Sequence, residues 1–487
     1  MRPLEFLLSV TVVIWLLHGF FSKPENKIAG RKAGAALSVL FLLLHLLFEG
    51  IRWQLMPIYL LLLILSIITV KTTFKNKTII EARQAKIKRT LTIGAGLIYC
   101  IVALLLPSVV PVFELPEPSG PHAVGSFSRH LIDENRIEPL GDSDSYRELM
   151  IEIYYPAQAS TDRKPEYTMF PYREWGGALS AFLSIPDIFF HHLTYVKSFV
   201  LNDAVIIQEP EKLPVLFYSH GAGGSRFQNY ALMQELASHG YMVVSIDHTY
   251  DAAQVLFSGE RKVNSVFIGL AHDEFDHDAN IRIRAEDAIF ILDWLNIINE
   301  ADPKNVLTNR LDIDRVGFVG HSYGGATAAQ TLALDPRFKA GINFDGALFG
   351  TSIDLGLDQP FMLVHAERSF NYDPSDRELE AAGMSREEFN EMMEDTYNKS
   401  HLMFNEGMRD EGYFVMFDFG DHMSFSDMYF LSPLLSRGYN LHEFHDYMNR
   451  ITVSFFDAYL KREVDIDLEN IINFMEGVSI NRKRSSD

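Results

Sequence analysis

The chain has 487 residues, of which 47% are hydrophobic and 22% are charged, with 64 acidic against 43 basic side chains. A chain of this length and composition can bury a full core, which excludes the mini-protein, collagen-like and wholly disordered classes. The only cysteine is Cys100, so the sequence excludes an intramolecular disulfide, a thiolate metal cluster and a paired-thiol redox site.

Charge is divided unevenly along the chain. Residues 1–113 contain 13 Lys and Arg against 4 Asp and Glu, whereas residues 114–487 contain 30 against 60, a net charge of −30. A surface as acidic as that of the second part repels phosphate backbones, so we expect no nucleic-acid partner. We predict a membrane region over 1–113, a Pro/Gly-rich linker over 114–126 and a globular domain over 127–487.

Four apolar runs, at about 3–21, 33–49, 53–70 and 91–113, approach the length that crosses the hydrocarbon core, and each predicts a membrane-spanning helix. The second run is short and contains His45, so its alternative is a re-entrant or deeply buried helix. A cleaved signal peptide is the alternative for the first run, but three further apolar runs follow it and a clean cleavage site is lacking. The polar residues Glu5, His18 and His45 predict either a transport path or pairing inside a helix bundle.

Basic residues in two of the connecting segments predict the orientation. These residues are Lys23, Lys27, Arg31, Lys32, Lys71, Lys75, Lys77, Arg83, Lys86, Lys88 and Arg89. Short basic loops stay on the cytoplasmic side. We therefore expect a multi-pass protein of the cell membrane with both termini outside and an extracytoplasmic acidic domain.

Short apolar runs alternate with helical patterns after the linker. The predicted strands lie at 147–155, 214–218, 242–247, 316–320, 340–345, 361–365 and 413–419. The predicted helices lie at 228–238, 285–299 and 326–334. This alternation predicts the α/β class, with a mainly parallel sheet flanked by helices. Two segments outside the alternation, about 175–199 and 376–408, either cap a pocket or decorate the rim of the sheet.

The pattern G-x-S-x-G occurs at Gly320-His321-Ser322-Tyr323-Gly324, between a predicted buried strand and a predicted helix. This context is that of a nucleophile elbow, in which a sharp turn exposes the serine hydroxyl. Gly320 and Gly324 leave room where neighbouring backbone comes too close for a Cβ atom. The helix N-terminus favours a developing oxyanion. We predict that Ser322 is a nucleophile, with a structural turn serine as the alternative.

A serine hydroxyl needs a base and an orienting carboxylate, which follow it here in the order acid, then histidine. Asp345 ends the strand at 340–345 and Glu367 follows the next strand, so both acids remain possible on this reasoning. His422 lies on a loop after the last predicted strand and is the predicted base. The other downstream histidines fall in helical segments, where packing or solvation is expected: His401, His442 and His445.

A glycine-rich loop at 219–225 follows the strand at 214–218. Serine hydrolases of this kind place one oxyanion donor in such a loop and a second directly after the nucleophile. We therefore assign the backbone N–H groups of Ala222 and Tyr323 as oxyanion donors. His220 is predicted to support the loop by hydrogen bonding and not to act as a base.

Six motifs together resemble the plasma-type (isoform II) platelet-activating-factor acetylhydrolase family. They are GPHAVG at 120–125, YYPA at 154–157, YSHGAGGSR at 218–226, GHSYGGATA at 320–328, FDG at 344–346 and HMSFSD at 422–427. The resemblance covers most of residues 118–465 but not the apolar runs. It implies an α/β-hydrolase that cleaves short or oxidised acyl esters of phospholipids without calcium, and broader carboxylic esters in bacterial relatives. In that family the acid follows the sixth strand, which implies a triad of Ser322, Asp345 and His422 and moves Asp345 ahead of Glu367.

The sequence therefore predicts a membrane-anchored serine ester hydrolase with a lipid or small ester substrate and no metal or organic cofactor. One alternative is a serine peptidase of the same fold. Another is a membrane sensor or transport module with a regulatory hydrolase-like domain.

Overall fold

The computed structural model describes all residues except 23–26, 75–83, 142–144, 159–166, 203, 268–275, 382, 437, 464 and 485–487. The chain forms two compact units. The helical unit includes Met1–Phe113, and the larger unit is made of Glu114–Phe430 and Ser436–Asp487.

The helical unit contains α1 (Pro3–Phe21), α2 (Lys27–Phe48), α3 (Met56–Phe74) and α4 (Gln84–Val109), with a 3-10 turn at Trp53–Leu55. Among the described residues, three segments are long and apolar enough to cross a membrane: Pro3–Phe21, Ile28–Phe48 and Trp53–Lys71. The prediction of a fourth span at 91–113 is corrected: α4 ends at Val109, and its described apolar segment, Ile93–Val109, is shorter than the three segments above. At 1.5 Å per residue this segment covers about 25 Å, less than the hydrocarbon core of about 30 Å.

Polar side chains of the helical unit pair with one another. Arg52 donates from Nε and Nη2 to the two carboxylate oxygens of Glu5, both at 2.7 Å, and both side chains are buried. The ring nitrogens of His45 lie 3.1 Å from the Glu49 carboxylate and 2.7 Å from the Tyr59 hydroxyl. These contacts are typical of polar groups that stabilise a helix bundle from within.

The predicted orientation of the spans remains a prediction. Four of the basic residues that carry it lie outside the described part of the chain: Lys23, Lys75, Lys77 and Arg83.

The strands of the larger unit are β1 (Ala123–Ile137), β2 (Tyr146–Ala157), β3 (Val200–Leu201), β4 (Leu213–Ser219), β5 (Met242–Asp247), β6 (Gln254–Leu256), β7 (Lys262–Asn264), β8 (Leu311–His321), β9 (Phe338–Phe344), β10 (Phe361–Ala366), β11 (Glu411–Phe417) and β12 (Val478–Arg484). Ten of them form one sheet in the order β12-β11-β10-β9-β8-β4-β5-β2-β1-β3, and β6 pairs with β7. From β11 to β5 neighbouring strands are parallel. The pairs β11–β12, β5–β2 and β2–β1 are antiparallel. The mainly parallel sheet that the sequence predicted is confirmed.

The helices of the larger unit are α5 (Tyr172–Leu183), α6 (Tyr230–Ser238), α7 (His277–Glu300), α8 (Tyr323–Leu334), α9 (Ser352–Leu355), α10 (Glu367–Phe370), α11 (Asp376–Ala381), α12 (Arg386–Leu402), α13 (Leu441–Phe456) and α14 (Leu468–Asn473). Helix α7 begins earlier than predicted because the side chain of Asp276 caps it, accepting the N–H of Ala279 at 3.0 Å. The central strands and the inner faces of α7 and α8 form the hydrophobic core. Phe217 of β4 packs edge-on against Phe338 of β9, with ring centroids 5.2 Å apart.

Strand β1 begins at Ala123, inside the segment predicted as a linker. The residues just before it are bound to α6. The N–H of Gly120 donates to Ser238 Oγ at 3.0 Å, and the N–H of His122 donates to the Ser238 carbonyl at 3.1 Å. The Pro/Gly-rich stretch is therefore held against the larger unit before it enters the sheet.

Candidate active site

Ser322 occupies the sharp turn between β8 and α8. Its backbone has φ +57° and ψ −124°, a conformation that L-residues rarely adopt. A Cβ atom on Gly320 would lie 2.0 Å from the carbonyl oxygen of Gly324, and one on Gly324 would lie 1.9 Å from that of Ser219. Only glycine fits at these two positions, so the G-x-S-x-G pattern has the steric cause expected of a nucleophile elbow.

The structure brings Ser322, His422 and Asp345 into one hydrogen-bonded line. His422 Nε2 lies 2.9 Å from Ser322 Oγ, and His422 Nδ1 lies 2.8 Å from Asp345 Oδ2. The alternative acid, Glu367, is exposed at the start of α10 and makes no hydrogen bond to His422 among the described residues. The geometry therefore favours Asp345 as the orienting carboxylate.

The other candidate histidines lie elsewhere. His401 stacks on Phe414 with ring centroids 5.0 Å apart, and His442 is exposed. His445 is fully buried, with Nδ1 3.9 Å from the carboxylate of Asp427. These positions match the packed or solvated roles expected from their helical segments.

Four donors surround the carboxylate of Asp345. Oδ1 accepts from His365 Nδ1 at 3.2 Å and from the N–H of Ala366 at 3.1 Å. Oδ2 accepts from the Ser369 hydroxyl at 2.6 Å and from His422. Burial by itself would raise the pKa of Asp345, but the hydrogen bonds from His365 and His422 outweigh it and hold the pKa well below its usual value.

The same contact changes the basicity of His422. Burial disfavours its protonated form, but the hydrogen bond to Asp345 and the charge of that carboxylate outweigh burial and raise the pKa of His422. The His422 side chain is 42% exposed, so a substrate can approach Nε2. The pair thus combines a carboxylate whose ionised form is favoured with an accessible imidazole of raised pKa, as a catalytic base requires.

The sequence alone did not identify His365 and Ser369, whose side chains donate hydrogen bonds to Asp345. His365 is the fifth residue of β10, and Ser369 follows on α10. The signal was available, because the carboxyl ends of adjacent parallel strands meet at one edge of the sheet. A polar residue at or just after the end of β10 can therefore reach a side chain that follows β9.

His321, the residue before the nucleophile, connects three parts of the site. Its Nε2 lies 2.8 Å from the carbonyl of His422, and its Nδ1 lies 3.0 Å from Gln228 Nε2. Gln228 in turn accepts the N–H of Gly221 at 2.9 Å. Burial, reinforced by the charge of His422, lowers the pKa of His321 to about 3. His321 is therefore neutral, donates from Nε2 and accepts at Nδ1, which ties the glycine-rich loop to the loop of His422.

The predicted oxyanion donors belong to residues that flank Ser322. Ala222 and Tyr323 both line a cavity with Ser322. A Cβ atom on Gly221 would lie 3.1 Å from Ser322 Cβ, so glycine lets this loop approach the nucleophile closely. Both residues therefore lie beside Ser322, and their role as oxyanion donors stays a prediction.

His220 is fully buried behind the same loop. Its Nδ1 lies 2.6 Å from the carbonyl of Gly221, and its own carbonyl accepts from Arg284 Nη2 at 2.6 Å. Burial and then the charge of Arg284 lower the pKa of His220 well below its ordinary value. The contacts are those of a residue that supports the loop, and the sequence did not indicate the buried Arg284.

Two cavities of unequal size meet at Ser322. The smaller, of about 80 Å³, has walls from Trp175, Leu179 and Phe182 of α5. The larger, of about 520 Å³, includes Phe389 and Met392 of α12. Ala222, Ser322, His422 and Met423 line both. The segments predicted at 175–199 and 376–408 therefore each contribute to a wall beside the nucleophile.

A group of side chains arranged closely enough to hold a metal ion occurs, among the described residues, in the helical unit: Glu5, His45 and Glu49. Arg2 and Arg52 already bind the Glu5 carboxylate there. The expectation that catalysis needs no metal or cofactor stays a prediction.

Comparison with known proteins places the larger unit in a family. Residues 108–435 match the family described as platelet-activating factor acetylhydrolase, isoform II. The chain belongs to this family. The match begins at residue 108, so it leaves most of the helical unit outside.

The curated relatives include the platelet-activating factor acetylhydrolase of Cavia porcellus, 28% identical over 52% of this chain and 60% of the relative. That of Bos taurus is 26% identical over 56% and 64%. A probable 1-alkyl-2-acetylglycerophosphocholine esterase of Arthroderma benhamiae is 27% identical over 54% and 67%. The chain thus spans about three fifths of the length of the first of these relatives.

Among solved structures, a ferulic acid esterase from Streptomyces cinnamoneus has a TM-score of 0.59 at 25% identity. The alignment covers 76% of this chain and 99% of the esterase. The predicted family and the predicted α/β-hydrolase fold are both confirmed.

Proposed function

We propose that the protein is a membrane-anchored serine carboxylic-ester hydrolase that uses Ser322, His422 and Asp345 as its triad. The observation that carries the proposal is the line of hydrogen bonds from Ser322 Oγ through His422 to Asp345. The relatives named as acetylhydrolases and esterases, and the esterase of similar fold, support ester cleavage over peptide cleavage.

Each residue has a defined step in this proposal. His422 Nε2 takes the proton of Ser322 Oγ as that oxygen bonds to the ester carbonyl carbon. The N–H groups of Ala222 and Tyr323 stabilise the resulting oxyanion. The bond to the alcohol then breaks, and the alcohol leaves with the proton from His422. Water repeats the sequence on the acyl-enzyme and releases the carboxylic acid, while Asp345 stays ionised and holds the imidazolium.

The unequal cavities support a short acyl group joined to a larger alcohol. We assign the acyl group to the cavity of about 80 Å³, where Trp175 and Phe182 leave little room for a long chain. The alcohol part then lies in the cavity of about 520 Å³, whose wall is rich in aromatic and methionine side chains. Such a site suits short-chain esters of an amphipathic alcohol, including sn-2 esters of phospholipids.

The helical unit is proposed as the membrane anchor, and the three helices able to cross a membrane support this role. An extracytoplasmic position of the larger unit, predicted from the basic connecting segments, requires that α4 also crosses, because three crossings end on the side of those segments. The pairing of Glu5 with Arg52 and of His45 with Glu49 gives these polar residues structural roles, so no observation favours a transport path.

The test uses the full chain in detergent micelles, with p-nitrophenyl esters from acetate to dodecanoate. Activity should peak at short acyl chains and disappear in Ser322→Ala, while the unfolding temperature stays unchanged. A fluorophosphonate should label the wild type and not the variant. Labelling or residual turnover of Ser322→Ala would contradict the triad, and faster cleavage of peptide amides than of esters would favour a peptidase.

A further inference from the structure

One basic side chain lines the larger cavity. Arg368 lies on α10 and is the only lysine or arginine among the described residues that line the cavity of about 520 Å³. Its side chain is exposed, and within the described part of the chain its guanidinium forms no hydrogen bond or ion pair. This group is therefore available to a ligand in the cavity.

The rest of the wall is mostly apolar. Phe349, Phe370, Phe389, Met392 and Met393 supply aromatic and thioether surface. A negatively charged group of a bound molecule would pair with the Arg368 guanidinium, and the apolar part of the same molecule would pack on these side chains. The cavity thus has the two-part character of a site for an amphipathic anion.

The carboxylates of the insertion lie on a different surface. Glu388, Glu391 and Asp395 of α12 line a separate depression of about 350 Å³ and not the cavity of Ser322. Asp395 also pairs with Lys399 at 2.8 Å. These three carboxylates therefore line a neighbouring depression, which shares Phe349, Met392 and Thr396 with the larger cavity, but they do not line the larger cavity itself.

The two carboxylates that do line the cavity are engaged. Asp345 accepts the four hydrogen bonds described above. Asp421 accepts from the N–H of Met423 at 3.2 Å and from the Ser424 hydroxyl at 3.3 Å. Neither binds Arg368, so its charge is not neutralised within the described residues.

We propose that Arg368 binds an anionic group, a phosphate or a carboxylate, on the alcohol part of the ester substrate. This subsite rests on the proposed ester hydrolase function. Residues 114–487 carry a net charge of −30, which disfavours the approach of an anionic ester. A guanidinium in the leaving-group cavity offsets that repulsion locally and gives charge-assisted hydrogen bonds to planar or tetrahedral oxyanions.

The test compares four acetyl esters by kcat/KM, with the full chain in detergent micelles. They are a 1-alkyl-2-acetylglycerophospholipid, the matching phosphate-free 1-alkyl-2-acetylglycerol, a carboxylate-bearing aryl acetate and p-nitrophenyl acetate. The variants are Arg368→Gln and the charge-retaining Arg368→Lys. The matched control is Arg377→Gln, because Arg377 is an exposed arginine on α11 that lines neither cavity.

Arg368→Gln should lower kcat/KM for an anionic ester by about tenfold or more, the effect of losing one charge-assisted hydrogen bond. It should change the two uncharged esters by less than about twofold. Arg368→Lys should retain part of the preference for anionic over uncharged esters, and Arg377→Gln should retain all of that preference. A selective loss on the phosphate ester or on the carboxylate ester supports the subsite and identifies the anion that it takes.

Two results would overturn the proposal and can be told apart. If Arg368→Gln changes charged and uncharged esters by the same factor, the ester hydrolase stands and the anion subsite falls. If the wild type cleaves none of the four esters, the proposed function falls, and the subsite falls with it.

Discussion

Replacing Asp345 by asparagine removes the charge of the carboxylate and keeps the shape of the side chain. All four neighbours of Asp345 donate hydrogen bonds, from His365, Ala366, Ser369 and His422. Asparagine offers one accepting oxygen and one donating amide. With the oxygen toward His365 and Ala366, the amide faces Ser369 and His422 instead.

The two neighbours of that amide respond differently. The Ser369 hydroxyl can turn and accept a hydrogen bond. His422 can accept at Nδ1 only by carrying its proton on Nε2, the atom 2.9 Å from Ser322 Oγ. The imidazole then donates to the nucleophile and cannot take its proton. We expect kcat to fall by about 10⁴-fold, the loss known for a triad histidine in the wrong tautomer. Loss of one charge-assisted hydrogen bond should also lower the free energy of unfolding by about 1.5–3 kcal/mol.

The assay is turnover of p-nitrophenyl acetate by the full chain in micelles, with thermal unfolding measured on the same samples. Glu367→Gln is the matched control, because it makes the same change at the alternative acid, which is exposed. It should alter kcat by less than about twofold. Retention of more than about a tenth of kcat by Asp345→Asn, or an equal loss in Glu367→Gln, would refute this account of the acid.

Three further predictions concern pH, acyl selectivity and the helical unit. The charge and hydrogen bond of Asp345 outweigh the effect of burial and raise the pKa of His422. A pH–rate profile of kcat/KM should therefore rise with pH and reach half its maximum above about pH 6.5, the ordinary pKa of histidine. A midpoint at or below that pH would contradict this prediction. Phe182→Ala should move the preferred p-nitrophenyl ester to a longer acyl chain because it widens the smaller cavity, whereas Phe189→Ala, which lines neither cavity, should leave the preference unchanged. Arg52→Met should destabilise the helical unit in detergent by about 1.5–3 kcal/mol because it removes charge-assisted hydrogen bonds to buried Glu5, although Arg2 still pairs with that carboxylate; if removing Glu5 as well restores no stability, the ion pair is not the cause.

Features that depend on a few consecutive residues were predicted well from the sequence. The sharp turn at Ser322 was predicted from two glycines between a predicted strand and a predicted helix. Glycine is required there because backbone atoms of the same turn and of the adjacent loop leave no room for a Cβ atom. The central strands were predictable because strands buried on both faces are continuous apolar runs. Strand β1 was missed because its second half, with charged residues at Asp133, Glu134 and Arg136, lacks that pattern.

Features that join distant segments needed the tertiary structure. Asp345 and Glu367 each follow a strand, and only the packing of β9 beside β10 brings the first to His422 and leaves the second exposed. The count of spans also changed, because α4 ends at Val109, before the end of the predicted apolar run at 113.

The sequence by itself thus predicted the α/β-hydrolase fold and the candidate nucleophile from local patterns of apolar residues and glycine, and it identified the family from six motifs. Only the tertiary structure placed Asp345 rather than Glu367 against His422, and only it showed the support of Asp345 by His365 and Ser369 and the unequal cavities, of which the larger is lined by Arg368. Each of these depends on distances between side chains that lie far apart along the chain, and folding alone sets those distances.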